Sequence, residues 1–112
     1  AKQSGKRIIA VGTTTTRVLE SCLDQNNQLI PSNSQTQLFI KPPYHFRFID
    51  GLITNFHLPQ SSLLMLTSAF ISHPNTPHHF SSFSKSHLGQ AYQAAIDQRY
   101  RFYSFGDAMI II

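Results

Sequence analysis

The stretch TNFHLP, from Thr54 to Pro59, places an imidazole and a side-chain amide between two apolar segments. His57 can exchange a proton near neutral pH, and Asn55 offers both a hydrogen-bond donor and an acceptor. Such groups suit general acid/base chemistry and the orientation of a substrate. They can equally satisfy the backbone of a loop, and the residue types alone favour that structural interpretation.

A second candidate is the turn VGTTTTR, from Val11 to Arg17. Gly12 allows a sharp turn after a strand, and the following helix presents free backbone N–H groups and the positive end of its dipole. Such a turn can bind a phosphate or a carboxylate. It lacks the additional glycines of the Walker and dinucleotide patterns, so the motif by itself favours capping of the helix by Thr13 or Thr14.

Two segments interleave basic and aromatic residues: YHFRFID at residues 44–50 and YRFYSF at residues 100–105. On strands, Tyr44 and the alternate aromatic residues share one face, whereas Arg47 lies on the other. In the second segment Arg101, Tyr103 and Phe105 would line up on one face. These faces could stack bases and bind phosphates, or the aromatic residues could belong to the core. Both interpretations remain open at this point.

The composition indicates one small domain, and its mild excess of positive charge favours an anionic partner. The chain has 112 residues, of which 41% are hydrophobic, and its formal charge of +4 is compatible with binding RNA. Cys22 is the only cysteine, so neither an internal disulfide nor a cysteine-based metal cluster is expected. The chain has no signal peptide and no long apolar run, which predicts a cytoplasmic fragment without membrane attachment. Four histidines in the Ser/Pro-rich segment lack zinc-site spacings, so no metal is expected: His73, His78, His79 and His87.

Strand and helix patterns alternate along the chain, which predicts a layered α/β/α-type domain with a short mixed or mostly parallel sheet and flanking helices. The predicted elements are a strand at 6–12, a helix at 13–25, a loop at 26–37, strands at 36–40 and 44–53, a helix from Pro59 to Phe70, a loop at 72–86, a helix at 88–99 and a strand-like tail bent at Gly106. The predicted helix faces are Val18, Leu19, Cys22 and Leu23 in the first helix, and Ala91, Tyr92, Ala95 and Ile96 in the last. The loop at 54–58 is therefore expected at a sheet edge, beside the start of a buried helix.

Three segments closely resemble, in order and spacing, the carboxy-terminal part of the S-adenosylmethionine:tRNA ribosyltransferase-isomerases, the QueA family of queuosine biosynthesis. They are IIAVGTTTTRVLE, LFIKPPYHFRFIDGLITNFHLPQSSLLMLTSAF and YRFYSFGDAMII. The resemblance extends from about Arg7 to Ile112, apart from the loops at 26–35 and 72–86. The sequence departs from the family pattern at Thr15, Thr16, Pro43 and Gln60.

The resemblance implies an enzyme that transfers the ribosyl group of S-adenosylmethionine to the aminomethyl group of a 7-deazaguanine base at the wobble position of tRNA. Adenine and methionine leave, and an epoxycyclopentanediol is formed. The chemistry begins with removal of a proton from the ribosyl 5′-carbon, which the adjacent sulfonium acidifies, and it needs a positioned base but no metal. The resemblance makes His57 the general acid/base candidate. Asp107 is the candidate to hold ribosyl hydroxyls or the incoming amine.

The same resemblance suggests substrate-binding residues and partners. The binding candidates are Gly12, Thr13, Thr14, Arg17, Tyr44, Arg47, Thr54, Asn55 and Arg101. The implied partners are S-adenosylmethionine as ribosyl donor, the precursor-bearing tRNA and the remainder of the same enzyme, which is expected to be monomeric at full length. Residues 1–112 would be the carboxy-terminal part of its large α/β domain and would not include its small β-barrel domain. This part is expected to be inactive by itself. The alternative is a stand-alone, non-catalytic tRNA-binding module.

Overall fold

A computed structural model describes residues 2–31, 38–58, 61–102 and 106–112. Strands and helices alternate as an α/β fold requires. In chain order they are β1 (Ile9–Val11), α1 (Thr13–Ser21), β2 (Gly51–Asn55), α2 (Ser62–Phe70), α3 (His87–Asp97) and β3 (Ala108–Ile111). Two single 3₁₀ turns, Lys2–Ser4 and Phe83–Lys85, precede β1 and α3.

The three strands form one mixed sheet in the order β1-β2-β3. Strands β1 and β2 are parallel, with Val11 opposite Ile53, whereas β3 runs antiparallel to β2, with Asn55 opposite Ala108. The predicted α/β class is confirmed. Of the two predicted sheet types, the mixed sheet is the one observed. In this topology the carboxyl ends of β1 and β2 meet the amino end of β3 at one edge of the sheet.

Helix α2 lies between two hydrophobic clusters and contributes to both. Leu66 and Ala69 pack in the first cluster, which also contains Leu52 of β2, and Leu64 packs in the second with Tyr92 of α3. The nearly continuous apolar sequence of this helix follows from burial on opposite sides. The prediction of a buried helix is confirmed. It begins at Ser62 rather than at Pro59, which lies outside the described residues, and the Ser61 hydroxyl accepts a hydrogen bond from the Leu64 N–H.

The prediction of a continuous strand from residue 44 is wrong, because β2 begins only at Gly51. The preceding backbone is held by Glu20 of α1, whose side chain is 1% exposed. Its carboxylate accepts hydrogen bonds from the N–H groups of Arg47, Phe48 and Ile49 at 2.9, 2.9 and 3.2 Å. A buried carboxylate therefore takes the place of a neighbouring strand for this segment. The predicted alternation in side-chain burial nevertheless remains, with the two phenylalanines buried and Arg47 exposed.

Helix α1 is shorter than predicted, and its predicted apolar face is confirmed only in part. It ends at Ser21 instead of Gln25, because the next residues form a turn in which the Asp24 carboxylate accepts two backbone hydrogen bonds. Of the predicted face, Leu19 and Leu23 pack against the first cluster as partly buried side chains, whereas Val18 is 46% exposed. The fully buried positions of the helix include Thr16 and Glu20. Polar side chains that bond to backbone groups thus occupy positions where an apolar periodicity is normally expected.

The carboxy-terminal half also departs from the predicted pattern. Helix α3 buries Leu88, Tyr92 and Ala95, whereas Ile96 is 57% exposed, so the predicted face is rotated. The helix ends at Asp97, before Arg99 adopts a positive φ of 60°. Neither residues 38–40 nor 100–102 lie in a strand, and the remainder of those two predicted strands, at 36–37 and 103–105, falls outside the described residues. The irregular character predicted for residues 72–86 is confirmed, apart from the short turn at Phe83.

Candidate active site

The turn between β1 and α1 depends on a glycine. Gly12 has a φ of +94°, a backbone conformation that residues with a Cβ rarely adopt, and its N–H donates to the Ile53 carbonyl at 2.8 Å. This bond ties the turn to the end of β2. Gly12 is itself the N-cap residue, and no described side chain caps the helix, so the predicted capping by Thr13 or Thr14 is wrong. Instead Thr16 donates its hydroxyl to the Gly12 carbonyl, and the first helical turn faces the edge of the sheet.

The loop after β2 is anchored by Phe56. Its side chain is 4% exposed and packs against Tyr92 and Phe102, with ring centroids 5.2 and 5.1 Å away. Because adjacent side chains of an extended chain point to opposite sides, burial of Phe56 turns Asn55 and His57 the other way. The apolar anchor thus presents two polar groups at the edge of the sheet.

His57 is held by its ring and by its main chain. Its Nε2 lies 2.7 Å from the hydroxyl of Thr54, and its backbone N–H donates to the hydroxyl of Tyr92 at 2.7 Å. Among the described residues, no hydrogen-bond partner is recorded for its Nδ1. Burial lowers the pKa of His57, because the charged imidazolium loses solvation. The side chain is therefore neutral near pH 7, the form that accepts a proton.

Beside His57 lies a cavity of about 420 Å³, within the size range of small-molecule sites. Six of the eleven residues predicted for the site line it together: Gly12, Thr13, Thr14, Thr54, Asn55 and His57. Sequence analysis missed three further lining residues, Leu58, Ser61 and Leu63. The sequence did contain a signal for these residues, because they lie close to Pro59, where the helix was predicted to start.

Three of the other predicted site residues are engaged elsewhere. Arg17 donates from Nε to the Leu38 carbonyl at 3.2 Å. The Tyr44 ring is partly buried against the first cluster and packs edge-on against Phe46 at a centroid distance of 5.0 Å. Arg47 is exposed and reaches an amide oxygen of the neighbouring loop at 3.3 Å. The structure does not bring these three side chains into the cavity.

Asp107 and Arg101 form a pair at the same edge of the sheet. The Asp107 carboxylate accepts from the Arg101 backbone N–H at 2.6 Å and lies 3.8 Å from its guanidinium. Asp107 immediately precedes Ala108, which opposes Asn55 across the sheet. The pair therefore lies beyond the β2 end that carries the cavity loop, but neither residue belongs to the described lining.

The lowered pKa of His57 predicts a specific pH dependence of stability. In the unfolded chain this histidine takes up a proton near its ordinary pKa of about 6.5, whereas in the folded protein it does so only at lower pH. The unfolded state then binds more protons, so the free energy of unfolding falls as the pH drops from about 6.5 through the folded pKa. Urea unfolding between pH 5 and 8 should show a shallower decline for His57→Asn than for the wild type. Equal declines would contradict the burial effect.

Within the described ranges, no group of three histidine, cysteine or acidic side chains is arranged to hold a metal ion. A metal-free reaction remains a prediction. Nor does the described part of the chain include a helix with the length and apolar character needed to cross a bilayer.

A glycine turn, a helix amino end and a half-buried histidine at the carboxyl ends of parallel strands form the kind of site that α/β enzymes place at a sheet edge. Residues 1–111 match the family described as "Queuosine biosynthesis protein", and the chain belongs to that family. The match confirms the resemblance carried by the three sequence segments.

Similar proteins carry one consistent name. A Caldanaerobacter subterraneus protein named S-adenosylmethionine:tRNA ribosyltransferase-isomerase is 48% identical over 112 residues, which cover 100% of this chain and 29% of that protein. A protein of the same name from Vesicomyosocius okutanii is 53% identical over 110 residues, covering 98% of this chain and 28% of that protein. The chain thus spans less than a third of these relatives.

A solved structure shares the fold. The crystal structure of S-adenosylmethionine tRNA ribosyltransferase from Thermotoga maritima matches 99% of this chain with a TM-score of 0.74 and 43% sequence identity. The match covers 35% of that chain. Both the fold class and the family therefore rest on independent similarities in sequence and in backbone.

Proposed function

We propose that this chain is the carboxy-terminal part of the large α/β domain of a two-domain, tRNA-modifying transferase. The whole protein transfers and isomerises the ribosyl moiety of S-adenosylmethionine onto 7-aminomethyl-7-deazaguanine at the wobble position of tRNA. The products are epoxyqueuosine, adenine and methionine. Support comes from the names of the relatives and from the family match over residues 1–111.

One observation carries the proposal: the cavity at the sheet edge combines a neutral histidine with a helix amino end. Thr54 and His57, at the end of β2 and in the loop after it, and Gly12, in the turn after β1, line the same space. Removal of a proton from a carbon beside a sulfonium requires a base that is unprotonated at working pH and held in place. The lowered pKa of His57 and its bond to Thr54 meet both requirements.

The ring nitrogens of His57 have separate roles in this proposal. Nε2 is bonded to the Thr54 hydroxyl, which fixes the orientation of the ring. Nδ1 is then the atom that receives the proton from the ribosyl 5′-carbon. The apolar side chains of Leu58 and Leu63 at the cavity limit the access of water to the carbanion-like centre.

The remaining lining residues bind the ribosyl donor. The uncapped N–H groups at Thr13 and Thr14 favour a negatively charged group, such as the carboxylate of S-adenosylmethionine or a tRNA phosphate. Asn55 orients the substrate through its amide. Asp107, which lies at the same sheet edge but outside the described lining, holds ribosyl hydroxyls or the incoming amine, and its contacts with Arg101 mean that the two residues act as a pair.

The proposed function is tested by adenine release from S-adenosylmethionine. The full-length protein that contains this chain should release adenine and methionine in equal amounts, and only with tRNA that carries the 7-deazaguanine precursor. The 112-residue chain alone should release neither product, because the remainder of the enzyme completes the site. Absence of release by the full-length protein, or release by the isolated chain at a comparable rate, would contradict the proposal.

The exposed arginines favour direct contact with tRNA. Arg47 lies on the surface, and the Arg101 side chain is 76% exposed. Arg47→Ala and Arg101→Ala in the full-length protein are each expected to weaken tRNA binding and to reduce the slope of log affinity against log salt by about one phosphate contact. Binding measured at several salt concentrations checks this, with Lys85→Ala, an exposed residue before α3, as the matched control. Unchanged slopes would assign both arginines to folding.

The salt dependence also bears on the alternative function, a non-catalytic tRNA-binding module. A full-length protein that shows the predicted salt slopes but releases no adenine with precursor-bearing tRNA would favour the module. Product release together with the predicted slopes supports the transferase.

A further inference from the structure

Tyr92 connects helix α3 to the loop that carries His57. Its hydroxyl accepts the backbone N–H of His57 at 2.7 Å, across a separation of 35 residues. The side chain is 5% exposed. A part-buried hydrogen bond between groups so distant in sequence constrains the loop from outside its own segment.

The Tyr92 ring is held from three sides, so its hydroxyl has little freedom to move. The rings of Phe56, Phe83 and Phe102 lie at centroid distances of 5.2, 5.2 and 5.8 Å. All three contacts are edge-to-face, an arrangement that aromatic pairs prefer. Burial raises the pKa of Tyr92, so the phenol stays protonated at neutral pH and its oxygen accepts the His57 N–H as a neutral group.

A phenylalanine would fill the same space among these rings without the cost of burying a hydroxyl. The hydroxyl is therefore not needed for packing, and its recorded bond is to the main chain of His57. Thr54 restrains the same residue at its ring nitrogen. Together the two bonds define both the backbone position and the ring orientation of His57.

We propose that Tyr92 is a positioning residue for the transferase reaction, whose hydroxyl fixes the main chain of His57 so that the imidazole meets the substrate in one orientation. This inference rests on the proposed function, because it assigns Tyr92 a role through His57. Tyr92 itself does not belong to the described lining of the cavity, and it acts without touching the substrate.

Tyr92→Phe removes the hydroxyl and keeps the ring. In the full-length enzyme, kcat is expected to fall about 10–100-fold, since a displacement of about 1 Å in a reacting group has an effect of that size. KM for S-adenosylmethionine should change less than about threefold, because the other lining residues stay in place. The acidic limb of the pH–rate profile should move toward the ordinary pKa of histidine as the loosened loop admits water.

Two control variants separate positioning from packing. Tyr100→Phe makes the same chemical change in a tyrosine that also contacts Phe56, at 6.1 Å, but is 52% exposed. It should leave kcat and the pH profile unchanged. Phe83→Leu weakens the packing around Tyr92 while keeping the hydroxyl, and it should lower Tm with less than about a threefold change in kcat.

The structural part of the inference is measured without activity. Amide hydrogen exchange of His57 should accelerate at least about tenfold in Tyr92→Phe, with the amides in the middle of α3 unchanged. An NMR titration should show a higher His57 pKa in that variant. If the wild-type enzyme releases no adenine, the proposed function fails, and these two measurements still decide whether Tyr92 positions His57.

Several outcomes would overturn the inference. They are an unchanged His57 exchange rate and pKa in Tyr92→Phe, a rise in KM without a fall in kcat, or equal losses of kcat in Tyr92→Phe and Phe83→Leu. A Tyr92→Phe protein that does not fold would also overturn it, because a hydroxyl that only positions the loop is dispensable for folding.

Discussion

Replacing His57 by alanine in the full-length enzyme is expected to lower turnover about 10²–10⁴-fold, the usual range for loss of a general acid or base. The expected loss of folding free energy is only about 1 kcal/mol, because the ring bond to Thr54 is lost while the backbone bond to Tyr92 remains. Steady-state adenine release and urea unfolding on the same preparation measure the two effects. A large kinetic effect with a small stability effect is the expected combination.

A second substitution distinguishes proton transfer from loop stabilisation. His57→Asn can keep one hydrogen bond to the loop but cannot exchange a proton near neutral pH, so its turnover should stay as low as that of His57→Ala. His79→Ala serves as the matched control, since this exposed histidine stacks on His73 away from the cavity. Wild-type turnover in His57→Asn would assign His57 to loop structure alone.

Replacing Glu20 by alanine is expected to lower the free energy of unfolding by about 3 kcal/mol or more. The carboxylate is buried and accepts three backbone hydrogen bonds, so its removal leaves the N–H groups of Arg47, Phe48 and Ile49 without this acceptor. Each unsatisfied buried donor costs about 1–3 kcal/mol. Denaturant unfolding measures this loss of free energy. Water that enters the space left by the side chain would make the loss smaller.

Glu20→Gln should have an intermediate effect, since its amide retains one acceptor oxygen but places an NH₂ group against the remaining donors. Asp97→Asn is the control for a change of charge alone, because Asp97 lies at the exposed end of α3 and bonds only to Gln93 among the described residues. It should alter stability by less than about 0.5 kcal/mol. A Glu20→Ala protein as stable as Asp97→Asn would contradict the structural role given to this carboxylate.

Local patterns in the sequence predicted those elements whose stability is also local. The β-branched run before Gly12 forms β1, and the nearly all-apolar run after Ser61 forms a helix buried between two clusters. The segment at 44–50 has the alternation of a strand, but its backbone partner is a glutamate at least 27 positions away. No periodicity within the segment can reveal such a partner.

For the candidate site, too, the features that depend on local sequence could be predicted and the long-range contacts could not. The loop at 54–58 and the turn at Gly12 could be placed at one sheet edge, because strand ends of a parallel pair meet there. Tyr92 could not be connected with His57 from the sequence, since the contact spans 35 residues. The pattern around Tyr92 is that of an ordinary apolar helix face. Arg17 matches the family motif, yet the fold directs its Nε to the Leu38 carbonyl. Membership in a family motif therefore identified which segments form the site, but it did not identify the direction in which each side chain points.

Transfer of the ribosyl 5′-proton to His57 is tested most directly by tritium release. The full-length enzyme receives S-adenosylmethionine tritiated at the ribosyl 5′-carbon together with precursor-bearing tRNA, and tritium in water is counted for the wild type and for His57→Asn. Both proteins should bind the labelled donor with similar affinity. The wild type should release tritium, and His57→Asn should release it at least about 100-fold more slowly. Equal rates of tritium release from the two proteins would show that another group removes the proton.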